Sequence, residues 1–294
     1  MVRYKSKSLT KQAWQQELND LVRGASGGFL FGIPLIYTME VWWIGSYAEP
    51  PMMLGLLGVT YIAVFLLNRT DGFRQGTDDP PITTAVDSVE AIAIGIVCVT
   101  CVLILLQEIT WQTPRHEVLG KIIFEGVPFA VGVALTRSLI NPEQKESDSS
   151  SNSSDASKPS QLWQQTLTDI GATLVGAMVI AFSIAPTDEV TMLASAVTPP
   201  WLLLIIAASL LVSYSIVFAA GFTSEQKRKQ HQGIFQRPLI ETAVSYLFSL
   251  GMAALMLWFF HRLSVSDPWS LWLNQVLILG LPATIGGAAG RLAV

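Results

Sequence analysis

Long apolar runs dominate the chain, and its polar residues are concentrated at the ends and in the stretches between these runs. The runs are roughly 18 to 25 residues long, the length that an α-helix needs to cross a hydrocarbon core about 30 Å thick. Helices are favoured because, within lipid, each backbone N–H and C=O must find its partner in the same segment. The pattern predicts an all-α polytopic membrane protein with about eight transmembrane helices, at residues 24–44, 51–68, 85–107, 117–139, 166–185, 199–222, 239–261 and 270–292.

The two halves of the chain repeat one another in sequence. At an offset of 149 residues, fifteen positions between residues 14 and 73 are identical to their counterparts, among them Trp14 with Trp163 and Glu40 with Glu189. The last predicted span of each half shares five further residues, at an offset of 154. Because four crossings per half is an even number, we predict two parallel four-helix repeats that face the same way across the bilayer.

Charge and composition set the predicted organisation. The first repeat takes residues 1–140 and begins with an amphipathic helix, a Ser- and Asp-rich linker that should be disordered takes 141–160, and the second repeat takes 161–294. Fifteen of the 18 Lys and Arg residues fall on the side that holds both termini and the linker. The positive-inside rule places that side in the cytoplasm.

Glycines recur at helical spacing in two predicted spans. Gly24, Gly28 and Gly32 form a stripe in the first span, and Gly286 with Gly290 repeats the spacing in the last. Small residues at this spacing let helix backbones approach closely. We therefore predict helix-packing surfaces there; the alternative is a close approach at the axis between the halves, where a pore would run.

Ionisable side chains inside predicted spans mark candidate sites, because each is costly unless it is paired or hydrated. Glu40 and its repeat mate Glu189 lie near the outer ends of their spans. They either line an acidic outer vestibule that concentrates cations or simply mark the aqueous ends of the helices. Asp87 and Glu90 open the third span on one helical face, where the second half has uncharged residues. This difference between the halves favours an ion-handling role over an architectural one.

Glu125 is the most deeply placed ionisable residue, near the middle of the fourth span, and Lys121 precedes it by four residues. The second half has Leu279 and Gln275 at the equivalent positions. One interpretation is a buried Glu–Lys pair that neutralises itself. The other is a carboxylate that handles a transported ion.

The composition and the absence of motifs limit the function. Hydrophobic residues make up 51% of the chain and charged residues 14%, whereas a soluble domain has about 25% charged residues. The sequence has no phosphate-binding loop, zinc-protease motif or nucleophile elbow. Packing is favoured over metal or redox chemistry for Cys98 and Cys101, which lie inside an apolar run. We therefore predict no enzyme activity, cofactor, metal or nucleic-acid partner.

A membrane ion channel or transporter is the predicted function, with an inorganic cation as the favoured ligand and a path near the pseudo-two-fold axis. Its surroundings are the lipid bilayer, and a homodimer would place four similar units around one axis. The alternative is a non-transporting accessory, assembly or regulatory subunit of a partner protein.

Residues Gly28–Gly45, GFLFGIPLIYTMEVWWIG, follow a segment with Trp14 and Arg23. This stretch resembles the opening of an uncharacterised family of bacterial integral membrane proteins, through its Phe-x-x-Pro-Leu-x-Tyr-Thr-Met-Glu-x-Trp-Trp core. The resemblance implies a multi-pass protein of the bacterial inner membrane, often encoded beside a second small gene. It implies no known activity.

Overall fold

The computed structural model shows a helical bundle and describes residues 3–72, 81–139, 159–219 and 238–292. The helices of the first half are α1 (Arg3–Leu35), α2 (Met39–Tyr47), α3 (Pro50–Gly72), α4 (Pro81–Leu105) and α5 (Arg115–Leu139). Those of the second half are α6 (Pro159–Ile184), α7 (Glu189–Ala196), α8 (Pro199–Tyr214), α9 (Pro238–Phe259) and α10 (Trp269–Leu292), with a π-helical turn, Ser215–Ala219, after α8. These ranges contain ten α-helices and no strand, which confirms the all-α class. The predicted linker at 141–160 lies outside the described residues except for its last two.

Membrane-spanning capacity is clear for six of these helices, α3, α4, α5, α8, α9 and α10, which are long and apolar enough to cross. The remaining two candidates are bent pairs: Glu17–Leu35 meets α2 at 97°, and Thr168–Ile184 meets α7 at 90°. The described residues therefore supply six spans, or eight if each bent pair crosses as one unit. The predicted span at 24–44 is not one straight helix, because the helix ends at Leu35 and the chain turns, and it is a span only if the bent pair crosses as one unit.

Both bends are closed by the same side-chain hydrogen bond. The last carbonyl groups of a helix have no partner within the helix. The Thr38 hydroxyl donates to Leu35 O (2.9 Å), and its repeat mate Thr187 donates to Ile184 O (2.7 Å). In the second half Pro186 lies two residues after the last helical residue, Ile184, and proline cannot continue a helix. The apolar run thus continues through the bend, but the helix ends there because a threonine side chain caps its last turn.

The turns after α4 and α9 are also alike. Gln107 and His261 hold the left-handed backbone conformation, with φ of 61° and 58°. In each turn the next amide donates to a carbonyl five residues back, Leu103 O or Leu257 O, at 2.9 Å. This is the Schellman arrangement, which satisfies carbonyls at a helix C-terminus. Glycine is the usual residue at the left-handed position of this motif. Gln107 and His261 therefore hold a backbone conformation that is unfavourable for residues with a side chain.

Glycine contacts hold the first and last long helices of each half together. A Cβ added to Gly27 of α1 would lie 2.6 Å from Gly132 O of α5, and one added to Gly176 of α6 would lie 2.9 Å from the carbonyl carbon of Gly286 in α10. Gly176 and Gly286 are the repeat mates of Gly27 and Gly132. The same backbone-to-backbone approach therefore occurs in both halves.

The predicted glycine stripes lie on these surfaces. Gly24, Gly28 and Gly32 face Val133 or Phe129 of α5, and Gly290 lies against α6 like Gly286. Contacts rise along α1 as they descend along α5, so the two helices are antiparallel. The closest contacts of both stripes lie within their own half, and the alternative of a close approach at the axis between the halves stays a hypothesis.

One hydrophobic core joins the two halves. Across it, the Tyr37 hydroxyl donates to Ile278 O at 2.7 Å. That carbonyl lacks its intrahelical partner because Pro282, four residues on, has no N–H. Helix α10 is central, with 67% of its span buried, whereas only 17% of the α3 span is. The halves thus share element order, bends, turns and glycine contacts, and their parallel orientation in a bilayer stays a prediction.

Candidate functional site

A cavity of about 270 Å³ opens where α2 and the start of α5 meet α7. It lies at the end of the bundle that the charge distribution predicts to face outward. Both halves line it, with Trp42, Trp43, Ser46, Tyr47, Glu108, His116, Glu117 and Lys121 from the first and Met192 from the second.

Helix α2 is held across the top of α5 by a glycine contact and a buried tryptophan. A Cβ on Gly45 would lie 3.1 Å from the Gly120 carbonyl group, so neither position has room for a side chain. Trp42 is 1% exposed, and its indole N–H donates to Ile36 O (2.8 Å) in the bend. The bend after α1 therefore aims the aromatic face of α2 at the polar start of α5.

Lys121 is the centre of the polar cluster. Its Nζ lies 3.1 Å from Glu108 O, 3.2 Å from Glu108 Oε2 and 3.1 Å from Glu117 Oε1. The two Glu108 oxygens accept hydrogen bonds from the ammonium group, and the Glu117 carboxylate forms an ion pair with it. Ser46 Oγ lies 3.4 Å from Glu117 Oε1 and ties α2 into the cluster.

Glu125 lies one helical turn deeper than Lys121 on the same face of α5. It is 1% exposed, and no donor among the described residues reaches its Oε1. The interpretation of a self-neutralising Glu125–Lys121 pair is wrong, because the ion pairs of Lys121 are with Glu108 and Glu117. Glu125 is left as a buried carboxyl group with an unused oxygen.

Gln107 connects the loop after α4, which contributes Glu108 to the cavity, to the second half. In the amide orientation that satisfies its neighbours, Nε2 donates to Ala196 O (2.8 Å) and Oε1 accepts from Trp201 Nε1 (2.6 Å). These contacts join the loop before Glu108 to the junction of α7 and α8. They explain why a glutamine stands at a backbone position that glycine would suit better.

The other predicted site residues are placed apart from this cluster. Glu40 is exposed on the first turn of α2, whereas its repeat mate Glu189 is buried at 7% exposure on the first turn of α7. Asp87 and Glu90 lie on the exposed face of α4. Lys121 alone among the predicted residues lines the cavity, and Glu125 follows it on α5 by one helical turn.

Sequence reasoning missed Glu108, His116 and Glu117. They sit in a short loop and at a helix start, where charge is expected and carries no signal of its own. One clue was present, since Glu117 precedes Lys121 by four residues and helical side chains lean toward the N-terminus. That lean directs the lysine to Glu117 and away from Glu125.

The second half has neutral polar groups at comparable depth. Gln275, which occupies the position of Lys121, is 2% exposed, and its Oε1 has no partner among the described residues; the same holds for Ser213 Oγ and the Tyr246 hydroxyl. No three His, Cys, Asp or Glu side chains in the described ranges are grouped closely enough to hold a metal ion. The charged cluster is thus specific to the first half.

Comparison with known proteins supplies a family and no activity. Residues 20–294 match the family described as "Putative integral membrane protein (DUF2391)". No curated protein and no solved structure matches the chain. Because the match covers nearly the whole chain, and the helices found are of membrane-spanning length, this protein belongs to that family of integral membrane proteins.

Proposed function

We propose that this protein moves a monovalent cation across the membrane, taking it up at the cavity and passing it to Glu125. The observation that carries the proposal is the buried Glu125 Oε1 without a donor, one turn below a cavity with an excess of acidic groups. A carboxylate in that position is a ligand for a cation that has left water.

The electrostatics of the cavity favour a positive ligand. With Glu108 and Glu117 ionised, Lys121 charged and His116 neutral, the lining carries a net charge of −1. A concave site of one sign raises the local concentration of oppositely charged ions. The cavity is therefore suited to collect cations from the adjacent aqueous phase.

The cost of Glu125 supports a functional role. An ionisable group at the centre of a transmembrane helix costs about 2.5–3.5 kcal/mol on insertion scales. The second half builds the equivalent helix, α10, with Leu279 at this position, so the fold does not require the acid. Glu40 lies outside the proposed route, and Asp87 and Glu90 are assigned to its cytoplasmic mouth because they are exposed near the predicted inner end of α4.

We further propose a bacterial inner-membrane location with both termini and the central linker in the cytoplasm, on the basis of the Lys and Arg distribution. Single cysteines at Ser150 and Tyr47, in a chain without Cys98 and Cys101, test this with an impermeant thiol reagent on intact cells. Labelling at position 47 alone is expected. Labelling at position 150 would contradict the orientation. The mass of the purified protein in detergent, one chain or two, tests the predicted homodimer.

Ion flux into proteoliposomes tests the transport proposal. Wild-type protein, Glu125→Gln and the control Glu49→Gln, an exposed carboxylate at the start of α3, are compared with Na⁺, K⁺ and methylammonium. We expect flux of one or more cations in the wild type and control, and a loss of tenfold or more in Glu125→Gln. Silent wild-type vesicles would refute transport and favour an accessory role, and equal flux in Glu125→Gln would remove Glu125 from the route.

A further inference from the structure

The three oxygens around Lys121 form a ready-made site for an ammonium group. They lie 3.1, 3.2 and 3.1 Å from one nitrogen, and the first two accept hydrogen bonds from it while the third, Glu117 Oε1, forms an ion pair with it. Two belong to carboxylates and one to a backbone carbonyl. Any ligand with the same –NH₃⁺ head can make the same two hydrogen bonds and the same ion pair.

The remainder of the cavity has room for such a ligand and walls to hold it. A volume of about 270 Å³ equals roughly nine water molecules at ~30 Å³ each. The rings of Trp42, Trp43 and Tyr47 and the Met192 side chain supply apolar and aromatic surface beside the acids. Aromatic faces attract cations and cover short alkyl groups at the same time. A small organic cation fits this combination of surfaces.

A second carboxyl group is available to the lysine if it leaves these oxygens. Glu125 is four residues C-terminal to Lys121, within reach of an i, i+4 side-chain pair. Its side chain leans toward the N-terminus of α5, and thus toward Lys121. Oε1 of Glu125 has no donor among the described residues. The structure therefore contains two acceptor sets for one lysine, with only the outer one filled.

We propose that the cavity binds a small primary ammonium cation at the oxygens now held by Lys121, and that the displaced Lys121 ammonium pairs with Glu125. The inference rests on the proposed function and names its substrate class. A positive ligand replaces a positive side chain at the outer site, and the side chain neutralises the buried carboxylate until the ligand moves on to Glu125 and Lys121 returns to the outer oxygens. Lys121 thereby acts as a tethered positioning residue that links occupancy of the cavity to the charge at Glu125.

A double-mutant cycle of ligand binding tests the displacement. Lys121→Gln is the matched variant, since α10 folds with Gln275 at the equivalent position. Binding of methylammonium to the purified full chain is followed by tryptophan fluorescence, with Trp42 and Trp43 in the cavity as reporters. Wild type, Lys121→Gln, Glu125→Gln and the double variant are compared, and circular dichroism verifies that each is folded.

Removing the competing ammonium is expected to tighten methylammonium binding by about tenfold or more, because the ligand no longer has to displace a like charge from the same oxygens. Glu125→Gln should weaken binding where Lys121 is present and leave it unchanged in the Lys121→Gln background. An equal effect of Glu125→Gln in both backgrounds would overturn the displacement. Binding is measured without a membrane, so it separates failure of this inference from failure of transport.

The ligand class is tested in the same assay with tetramethylammonium and K⁺. Methylammonium should bind more tightly than tetramethylammonium, which has no N–H to donate to the two Glu108 oxygens. It should also bind more tightly than K⁺, which has no N–H to donate and no alkyl group for the aromatic walls to cover. Equal or tighter binding of either competitor, or no fluorescence change with any cation in wild type and Lys121→Gln, would overturn the assignment.

Discussion

The hydrogen bond between Tyr37 and Ile278 allows a quantitative test of how the two halves are joined. The Ile278 carbonyl cannot be satisfied within α10 because Pro282 has no N–H. Tyr37, 4% exposed, supplies the missing donor from the other half at 2.7 Å. Tyr37→Phe keeps the ring and removes only that donor.

The expected loss follows from burial and environment. Leaving a buried acceptor unsatisfied costs about 1–3 kcal/mol. Hydrogen bonds inside membrane proteins average about 0.6 and reach about 1.7 kcal/mol, because the unfolded chain in lipid also finds partners. The Ile278 side chain is fully buried and no helix donor competes, so we expect Tyr37→Phe to lower the free energy of unfolding by about 1–2 kcal/mol.

Unfolding in mixed micelles of increasing denaturing detergent measures this loss, and Pro282→Ala provides the internal check. Alanine restores an N–H to the carbonyl, so Tyr37→Phe should cost less than about 0.5 kcal/mol in that background. Tyr246→Phe is the control, because its hydroxyl has no partner among the described residues and its removal should cost nothing. An equal loss from Tyr37→Phe in both backgrounds would refute the reasoning.

Three further substitutions test other contacts. Gly286→Ala should lower the free energy of unfolding by about 1–3 kcal/mol, because the added methyl group overpacks against α6. Gly251 faces open space, so Gly251→Ala should leave the free energy of unfolding unchanged. The same detergent titration measures both variants, and equal effects would contradict the packing. Arg262→Ala removes hydrogen bonds to Asp188 (2.6 Å) and to the Pro186 carbonyl, and because the ion pair is largely exposed we expect a loss of about 1 kcal/mol or less but faster hydrogen exchange at residues 185–190. Gln107→Gly should be more stable than Gln107→Ala by about 1 kcal/mol, since both lose the bonds to the second half and only glycine relieves the positive φ; an equal stability would contradict a strained turn.

The membrane-spanning helices could be predicted from sequence because the lipid core imposes a length and a polarity on every span. The predicted run at 51–68 falls within α3, and the run at 270–292 lies within one residue of α10. Hydropathy does not report a change in the direction of the helix axis, however. The two helices on either side of the bend at residues 36–38 were therefore predicted as one span. The identity of Thr38 and Thr187 in the repeat was the one feature of the sequence that indicated a capping position shared by both halves.

The candidate site could be predicted only in part. Burial made Glu125 conspicuous, because an acid in an apolar run is rare and costly. The partners of Lys121 could not be predicted, because they are set by the direction of its side chain and by the fold of the loop after α4. The periodicity of apolar residues reports neither. Glu108 became a site residue only through the turn after α4, whose left-handed Gln107 returns the chain toward α5.

Access of water and ligand to Glu125 tests the central claim most directly. Glu125→Cys is placed in a chain whose Cys98 and Cys101 are replaced by serine, and its reaction with a water-soluble thiol reagent is timed by mass spectrometry, with Glu117→Cys as the cavity reference. The route from cavity to carboxylate predicts that position 125 is labelled, and that methylammonium slows the labelling by severalfold. Labelling at position 117 with none at 125 would contradict it.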